Sequence, residues 1–248
     1  MRIDVVTLFP ELVRQVVRFG IPRKAAEGGA LELHTLDLRD FSADGDRRVD
    51  DRPYGGGPGM VMEAEPLVQA LAAARRGAEN ATGSAVLAVA LSPQGEPITQ
   101  AWVKRLAAEP ALILLCGRYE GPDERALGAV DVELSLGDFV LSGGELAAMA
   151  LVDAIARWLP GVLGHEQSAS SDSFAAGLLD HPHYTRPERW RGEAVPEVLL
   201  SGDHARIARW RLKRALGATW LKRPELLADL ELSDEQRKLL REFIGEHA

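Results

Sequence analysis

The sequence contains a glycine-rich segment whose residue types could bind a ligand. The segment VDDRPYGGGPGM, residues 49–60, sets three consecutive glycines beside Asp50, Asp51 and Arg52. Glycine and proline together favour an irregular loop, because glycine is conformationally permissive and proline lacks an amide donor. The glycines would let a ligand lie against the backbone, with polar contacts from the charged residues. A phosphate-binding P-loop is excluded because no Gly-Lys-Ser/Thr follows. A mobile surface hairpin is the alternative.

Predicted strands and helices, which would position this loop, alternate along the chain. Strand patterns lie at 2–8, 31–38, 85–91, 112–116 and 129–134, and helical patterns at 10–20, 65–76, 98–108 and 142–159, with a loop at 39–60. Such alternation predicts an α/β fold with a parallel sheet covered on both faces. We expect this domain to span residues 1–160.

The remainder of the chain has a different character. Residues 161–178, which follow Pro160, contain three glycines and several serines with little periodicity, which predicts an interdomain linker. Residues 179–248 predict a small all-helical domain, with an extended segment at 181–187 and helices at 203–217, 224–230 and 233–245. The helix at 203–217 is expected to begin at a Ser201 or Asp203 cap and to end at Gly217.

Three glycine-containing loops follow predicted strands, at 91–95, 116–121 and 136–144. In open α/β sheets, ligands bind at the carboxyl ends of the strands. The three loops together therefore predict a small-molecule site at one edge of the sheet. The dinucleotide signature G-x-G-x-x-G is absent, so a standard dinucleotide fold is not supported.

Bulk composition limits the classes of function. Apolar residues make up 46% of the 248 residues, enough for a sizeable core, and no apolar run reaches the length of a membrane span. The single cysteine, Cys116, excludes an intrachain disulfide, and we expect a cytoplasmic location. The net charge is −8, yet residues 186–223 hold 10 basic and 4 acidic residues. Such a local basic patch suits phosphate contacts.

Seven ordered blocks resemble the bacterial tRNA (guanine-37-N1)-methyltransferase family. They lie at 49–60, 91–95, 116–121, 137–145, 160–164, 172–174 and 183–187, so the resemblance covers essentially the whole chain. The resemblance implies a SPOUT-type fold, in which the sheet domain contains a deep trefoil knot. It also implies a homodimer whose active sites are each built from both subunits. Neither property can be read from periodicity.

The resemblance also implies a reaction, the transfer of a methyl group from S-adenosylmethionine to N1 of guanosine 37 in tRNA. Guanine N1 carries a proton, so the reaction needs a base, and a cation would stabilise the charge that develops on O6. By motif match, Asp172 is the general base and Arg157 the cation. From the residues alone, Asp172 would be a turn residue, and Arg157 would be a cation that interacts favourably with the C-terminus of a helix.

By the same match, the cofactor lies against glycine-rich loops in which backbone groups dominate. The matching positions are Leu91, Ser92, Pro93, Gly117, Tyr119, Glu120, Gly121, Leu136, Gly137, Asp138, Phe139, Val140, Leu141, Gly143 and Gly144. Among these, Glu120 is expected to face the positive end of the cofactor, and Tyr119 to serve packing.

The tRNA contacts divide between the two domains. Asp50, Gly57 and Gly59 are expected to shape the guanine pocket, with Asp50 contributed by the partner subunit. The helical domain is expected to supply phosphate, stacking and base contacts through His183, Tyr184, Arg186, Arg206, Arg209, Trp210, Arg211 and Lys213. An ordinary helix surface or core aromatic is the alternative for each.

Two points remain open at the level of sequence. The family is associated with Mg²⁺, but no cluster of ligand residues here predicts a metal site. The alternative functions are those of a non-catalytic RNA-binding protein on the same scaffold and of a related rRNA methyltransferase. The retained Asp172 and Arg157 disfavour the first, and the basic helical domain disfavours the second.

Overall fold

The protein, represented by a computed structural model, is described over residues 1–164 and 168–247. It divides into two compact units, Met1–Glu166 and Gln167–Ala248, each with its own apolar core. The expected boundaries at 160/161 and 178/179 stay predictions. Residues 165–167 of the expected linker, and Ala248 at the end of the expected helical domain, lie outside the described residues.

The first unit contains a parallel sheet. Its strands are β1 (Arg2–Thr7), β2 (Glu32–Asp37), β3 (Asp50–Asp51), β4 (Val61–Met62), β5 (Leu87–Pro97), β6 (Ala111–Cys116) and β7 (Val132–Ser135). Its helices are α1 (Pro10–Arg14), α2 (Gly20–Glu27), α3 (Ala64–Thr82), α4 (Gln100–Ala107), α5 (Glu124–Leu127) and α6 (Glu145–Ala156). Among the described residues, five strands pair in parallel in the order β2-β1-β6-β5-β7. The α/β fold is therefore confirmed, whereas the trefoil knot stays a prediction.

Apolar residues of the sheet alternate between two cores. On one face, Ile3 and Leu114 pack with residues of α1, α2, α4 and α6, and on the other, Val6 and Leu115 pack with residues of α3. Every residue of β6 is buried. This is the pattern that a central parallel strand covered on both faces requires, and it explains the uninterrupted apolar run ALILLC.

Two expectations for the first unit are wrong in detail. The segment 91–95 does not interrupt the strand, because β5 continues to Pro97 and its pairing with β7 shifts register between Leu91 and Glu96. The extra residues bulge out of the ladder, which is how a strand accommodates an insertion. The helix expected at 10–20 is interrupted, because α1 ends at Arg14 and a 3₁₀ turn, Gln15–Arg18, follows before α2 begins.

The second unit is mainly helical. Its elements are α7 (Ser168–Ser171), β8 (Arg189–Trp190), β9 (Glu193–Ala194), α8 (Glu197–Leu200), α9 (His204–Lys222), α10 (Glu225–Ala228) and α11 (Asp234–His247). Leu178, Leu216 and Leu239 form its core. The Asp203 side chain accepts a hydrogen bond from the Arg206 amide at 3.1 Å, so the expected cap of α9 is confirmed.

The expected end of α9 at Gly217 is wrong, because the helix continues to Lys222. Gly217 is buried within α9, and a Cβ there would overlap the Phe243 ring of α11. Its lack of a side chain therefore serves the close approach of two helices rather than a helix end. At the start of α11, Ser233 and Gln236 exchange hydrogen bonds of 3.2 Å and 2.8 Å, which confirms the predicted capping box.

Candidate functional site

A cavity of about 500 Å³ opens beside the carboxyl ends of β6 and β7 and the bulge of β5 after Leu91. This is the edge at which parallel α/β sheets bind ligands, and the volume is in the range of small-molecule sites. The structure brings most of the predicted cofactor residues together in the cavity wall, namely Leu91, Ser92, Pro93, Gly117, Tyr119, Glu120, Gly121, Leu136, Phe139, Val140, Leu141, Gly143 and Gly144. Gly137 and Asp138 do not line the wall.

The wall combines apolar side chains with acidic groups. Leu91, Leu134 and Ala147 are buried beneath it. Acidic residues of the wall are Glu120, Asp123, Glu124 and Glu133, of which the sequence pointed only to Glu120. The cavity can therefore accept a ligand with an apolar, planar part and a positively charged part.

A buried ion pair holds the loops of the cavity together. The Arg118 Nε and Nη2 nitrogens each lie 2.9 Å from Glu145 Oε2. The Glu145 carboxylate also accepts a 2.8 Å hydrogen bond from the Thr7 hydroxyl. Arg118 additionally donates to the Ser142 carbonyl oxygen at 3.0 Å. These contacts connect the end of β1, the loop after β6, the loop after β7 and the start of α6. Sequence reasoning missed the pairing, because Arg118 and Glu145 lie in separate motifs.

Close packing explains the glycines of these loops. A Cβ on Gly143 would overlap the Arg118 side chain, and one on Gly144 would lie 2.8 Å from Cys116 Cα. Both positions need glycine because backbone and guanidinium occupy the space. The glycines are therefore required by the cavity wall itself, whatever the ligand.

The glycine-rich loop is the tip of a short antiparallel hairpin. Asp50 pairs with Met62 and Asp51 with Val61, so the expected irregular loop contains a strand that the sequence did not indicate. Near its end, Gly59 has a φ of +84° and lies against the side chain of Glu120, whose amide donates to the Met60 carbonyl at 2.9 Å. Gly57 has a φ of +119°. The hairpin and the cavity loop at 117–121 are thus in direct contact.

The pKa values of three groups in or beneath the cavity wall are shifted by their surroundings. Hydrogen bonds from the Arg125 side chain and amide hold the pKa of Asp123 at about 2. Burial, and secondly the Asp50 carboxylate, raise the pKa of the Tyr119 hydroxyl. Burial raises the pKa of the Cys116 thiol well above its usual range, so this cysteine has no nucleophilic character.

The two predicted catalytic residues belong to different units. Arg157 directly follows α6 in the first unit and is half-buried. Asp172 directly follows α7 in the second unit and is also half-buried. The Asp172 carbonyl accepts from the Ala175 amide at 3.1 Å, and Phe174, with a φ of +69°, donates its amide to the Leu178 carbonyl at 2.7 Å. The backbone after Asp172 is therefore folded within the second unit, although 161–178 was expected to be a linker.

A second cavity, of about 510 Å³, lies within the second unit. Four of the predicted tRNA contacts line it: His183, Tyr184, Arg186 and Arg211. The Trp210 ring centre lies 6.3 Å from those of Tyr184 and His181. The structure thus collects aromatic and cationic side chains in one place, which is the combination that RNA-binding surfaces use.

The basic residues predicted on α9 differ in their surroundings. Arg206 is exposed. Arg209 forms ion pairs with Glu235 and Glu242 of α11, and Lys213 lies 2.5 Å from Glu246. The charges of Arg209 and Lys213 are therefore compensated by acidic residues, which the sequence did not indicate. Their roles as tRNA contacts stay predictions.

One cluster among the described residues has metal-ligand chemistry, formed by Asp180, His181 and His183. The His183 Nε2 lies 2.9 Å from Asp180 Oδ2, and the His181 amide donates to Asp180 at 2.7 Å. Burial of the carboxyl opposes its ionisation, but these hydrogen bonds outweigh burial and lower the pKa of Asp180. Two imidazoles do not suit Mg²⁺, which prefers oxygen ligands in octahedral geometry. The residues present therefore do not fit a Mg²⁺ site.

The fold and the cavity define a class of protein. It is an α/β protein whose parallel sheet carries a ligand cavity at the carboxyl ends of its strands, followed by a helical unit with basic and aromatic surface residues. Within the described residues, helices long and apolar enough to cross a membrane are absent.

Comparison with known proteins identifies the family. The sequence model of the family described as tRNA (Guanine-1)-methyltransferase TrmD matches residues 1–229. The chain is 60% identical over 247 residues to a tRNA (guanine-N(1)-)-methyltransferase of Halorhodospira halophila, covering 99% of this chain and 92% of that protein. It is 55% identical over 249 residues to the Cronobacter sakazakii enzyme of that name, covering 100% and 95%, respectively. The chain belongs to this tRNA (guanine-1)-methyltransferase family.

The buried ion pair gives a first testable prediction. We expect Glu145→Gln to lower the free energy of unfolding by about 2–4 kcal/mol, because Arg118 would lose its charged partner in a buried setting. Glu65→Gln is the matched control, since Glu65 also lies in the first turn of a helix but is exposed. Urea unfolding of the full chain measures both. Equal stability of the two variants would show that the pair does not hold the loops together.

Proposed function

We propose that this protein transfers the methyl group of S-adenosylmethionine to N1 of guanosine 37 in tRNA. The observation that supports this most directly is the cavity at this edge of the sheet, since motif positions from the bulge of β5 and from the loops after β6 and β7 meet in its wall. The names of the family and of its relatives supply the reaction class, tRNA guanine-N1 methylation. A cytoplasmic site of action, where tRNA is found, is part of the proposal.

The cavity suits S-adenosylmethionine in volume and in chemistry. Apolar side chains such as Leu91 and Leu134 can flank a purine, and backbone groups of the glycine-rich loops can bind its polar edge. The acidic residues Glu120 and Glu133 can offset the positive charges of an ammonium and a sulfonium. When bound, S-adenosylmethionine supplies an electrophilic methyl group.

Asp172 and Arg157 are proposed to act on the guanine. The carboxylate of Asp172 removes the N1 proton as the N1–methyl bond forms and the bond between the methyl carbon and the sulfonium sulfur breaks, which leaves a neutral thioether. The guanidinium of Arg157 stabilises negative charge that develops on O6 during this step. The proton ends on the Asp172 carboxyl, and N1-methylguanine is neutral.

The tRNA contacts are proposed to come mainly from the second unit. A loop base can be splayed out and read on its Watson–Crick edge, with aromatic rings and arginine planes available for stacking. His183, Tyr184, Arg186 and Arg211 share one cavity, and Trp210 extends the same aromatic group. Gly57 and Gly59 are proposed to shape the guanine pocket, with Asp50 contributed by the partner subunit.

The homodimer is proposed on the basis of exposed apolar residues in the first unit. Phe9, Leu12, Phe19 and Leu146 are exposed and belong to, or directly precede, the helices α1, α2 and α6, and both α1 and α2 contact α6. A group of exposed large apolar side chains on adjacent elements is typical of a protein interface. A second copy of the chain is the proposed occupant, and it would complete each active site.

The experiment that tests the reaction is methyl transfer from labelled S-adenosylmethionine to two tRNA transcripts that differ only in guanosine or adenosine at position 37. We expect N1-methylguanosine in the first transcript and no label in the second. Binding of tRNA without label in either would favour the non-catalytic alternative. Equal labelling of both would retain the chemistry but reject the assigned position, and label in rRNA alone would favour the rRNA methyltransferase.

The proposed base gives a second prediction. Asp172→Asn is expected to slow methyl transfer by roughly 10²–10⁴-fold, because an amide of the same shape cannot accept the N1 proton. Asp229→Asn, an exposed residue of the same unit, is the matched control and should retain full activity. Affinities for S-adenosylmethionine and tRNA, measured by calorimetry, should not change in either variant. A parallel loss of tRNA affinity in Asp172→Asn would indicate a structural role instead.

The proposed interface gives a third prediction. Leu12→Arg is expected to shift the molecular mass measured by light scattering from dimer to monomer and to abolish methyl transfer, because an arginine would be buried without a partner. Val68→Arg is a matched control, since Val68 is 39% exposed against 38% for Leu12 but lies on α3, over the other face of the sheet. An unchanged mass in Leu12→Arg would place the interface elsewhere.

A further inference from the structure

A two-stranded hairpin in the second unit presents an exposed tryptophan. Trp190 of β8 pairs with Glu193 of β9, and the Val195 amide donates to the Glu188 carbonyl at 2.9 Å. The turn consists of Arg191 and Gly192, with φ values of +51° and +90°. Two left-handed residues are what a tight type I′ hairpin requires. The ring is therefore carried on a defined backbone rather than on an irregular loop.

The tryptophan contributes little to the core of the protein. Trp190 is 58% exposed, and every residue of the two short strands and of the turn between them is exposed. Tryptophan is a residue that proteins bury or place at binding surfaces, because its large ring has much apolar area. Its exposure on a hairpin therefore indicates a partner that covers it.

The charges around the ring indicate the chemistry of that partner. The Arg191 guanidinium lies 4.7 Å from the Trp190 ring centre, so a cation occupies one side of the indole. Arg189 precedes the tryptophan, and Arg186 lies three residues earlier. Three arginines against Glu188 and Glu193 leave residues 186–194 with a net charge of +1. A net positive segment around an exposed ring favours a polyanion with flat bases over an apolar protein surface. Aromatic rings beside arginines are the combination that binds unpaired nucleotides.

We propose that Trp190 stacks on an unpaired nucleobase of the tRNA, with Arg189 and Arg191 placed for the flanking phosphates. The inference rests on the proposed function, because it takes tRNA as the ligand. Every base offers a flat π-face, so this contact adds affinity without selecting a base. Trp190 is thus a tRNA-positioning residue, and the motif match to the family did not point to it.

The test compares tRNA binding and turnover in variants of the full chain. Trp190→Ala is expected to weaken tRNA affinity, measured by fluorescence anisotropy at fixed salt, by roughly ten- to hundredfold. Trp190→Phe should recover most of that loss, since it restores a stacking ring. Arg191→Gln should reduce the slope of log affinity against log salt by about one. The value of kcat at saturating tRNA, and the affinity for S-adenosylmethionine, should remain unchanged.

Leu221→Ala is the matched control, because Leu221 is 57% exposed in the same unit and loses a similarly exposed apolar side chain without a stacking surface. Its tRNA affinity should equal that of the unmodified protein. Unchanged tRNA affinity in Trp190→Ala would overturn the inference, as would a change of mass to monomer, which would assign the ring to a second copy of the chain. A fall in kcat would overturn it too, since the ring would then act at the reacting base.

The outcomes separate this inference from the proposed function. Methyl transfer by the unmodified protein together with unchanged binding by Trp190→Ala would retain the function and reject the stacking contact. Binding that depends on Trp190 without methyl transfer would retain the contact and reject the function. A protein that does not bind tRNA at all would overturn both.

Discussion

The ion pair between Arg118 and Glu145 is the interaction on which the cavity depends. Glu145 is 1% exposed, and a carboxylate in such a setting destabilises the fold unless charged or polar partners surround it. Arg118 and the Thr7 hydroxyl supply those partners, and the position in the first turn of α6 adds a favourable helix dipole. Thr7 ends β1, Arg118 follows β6 and Glu145 begins α6. The interactions that stabilise this one buried charge therefore also fix the loops that form the cavity wall.

The same constraint explains why the cavity is rich in glycine. Arg118 passes so close to Gly143 that a side chain there would displace it, and Gly144 lies against the backbone of Cys116. Glycine is therefore needed for the loops to pack on one another, and the backbone groups left at the surface are free to bind a ligand. A binding site built from backbone and a few acidic side chains follows from this packing, and it suits a cofactor that is polar, partly planar and positively charged.

The second unit divides its charged residues between folding and recognition. Arg209 and Lys213 pair with acidic residues of α11, so much of their charge is used to hold α9 and α11 together. The proposed phosphate contacts would then come mainly from cations outside that interface, such as Arg186, Arg206 and those of the hairpin at 189–194. The basic excess of residues 186–223 therefore overstates the charge available to RNA. Because the second unit also contains Asp172, it would supply both the tRNA contacts and the general base, whereas Arg157 and the cofactor cavity belong to the first unit.

Local patterns in the sequence determined the parts of this protein that depend on neighbouring residues. The apolar run of β6, the Asp203 cap and the Ser233–Gln236 capping box were all predicted, because burial on both faces and helix capping act over a few positions. Most of the cofactor residues assigned from the matched motifs also line the cavity. Tertiary structure alone decided that β5 continues past Leu91, that Gly217 packs on Phe243, and that Glu145 meets both Arg118 and Thr7. Those contacts join residues 26 to 138 positions apart, and which of them meet is set by strand order and helix packing, on which local periodicity carries no information.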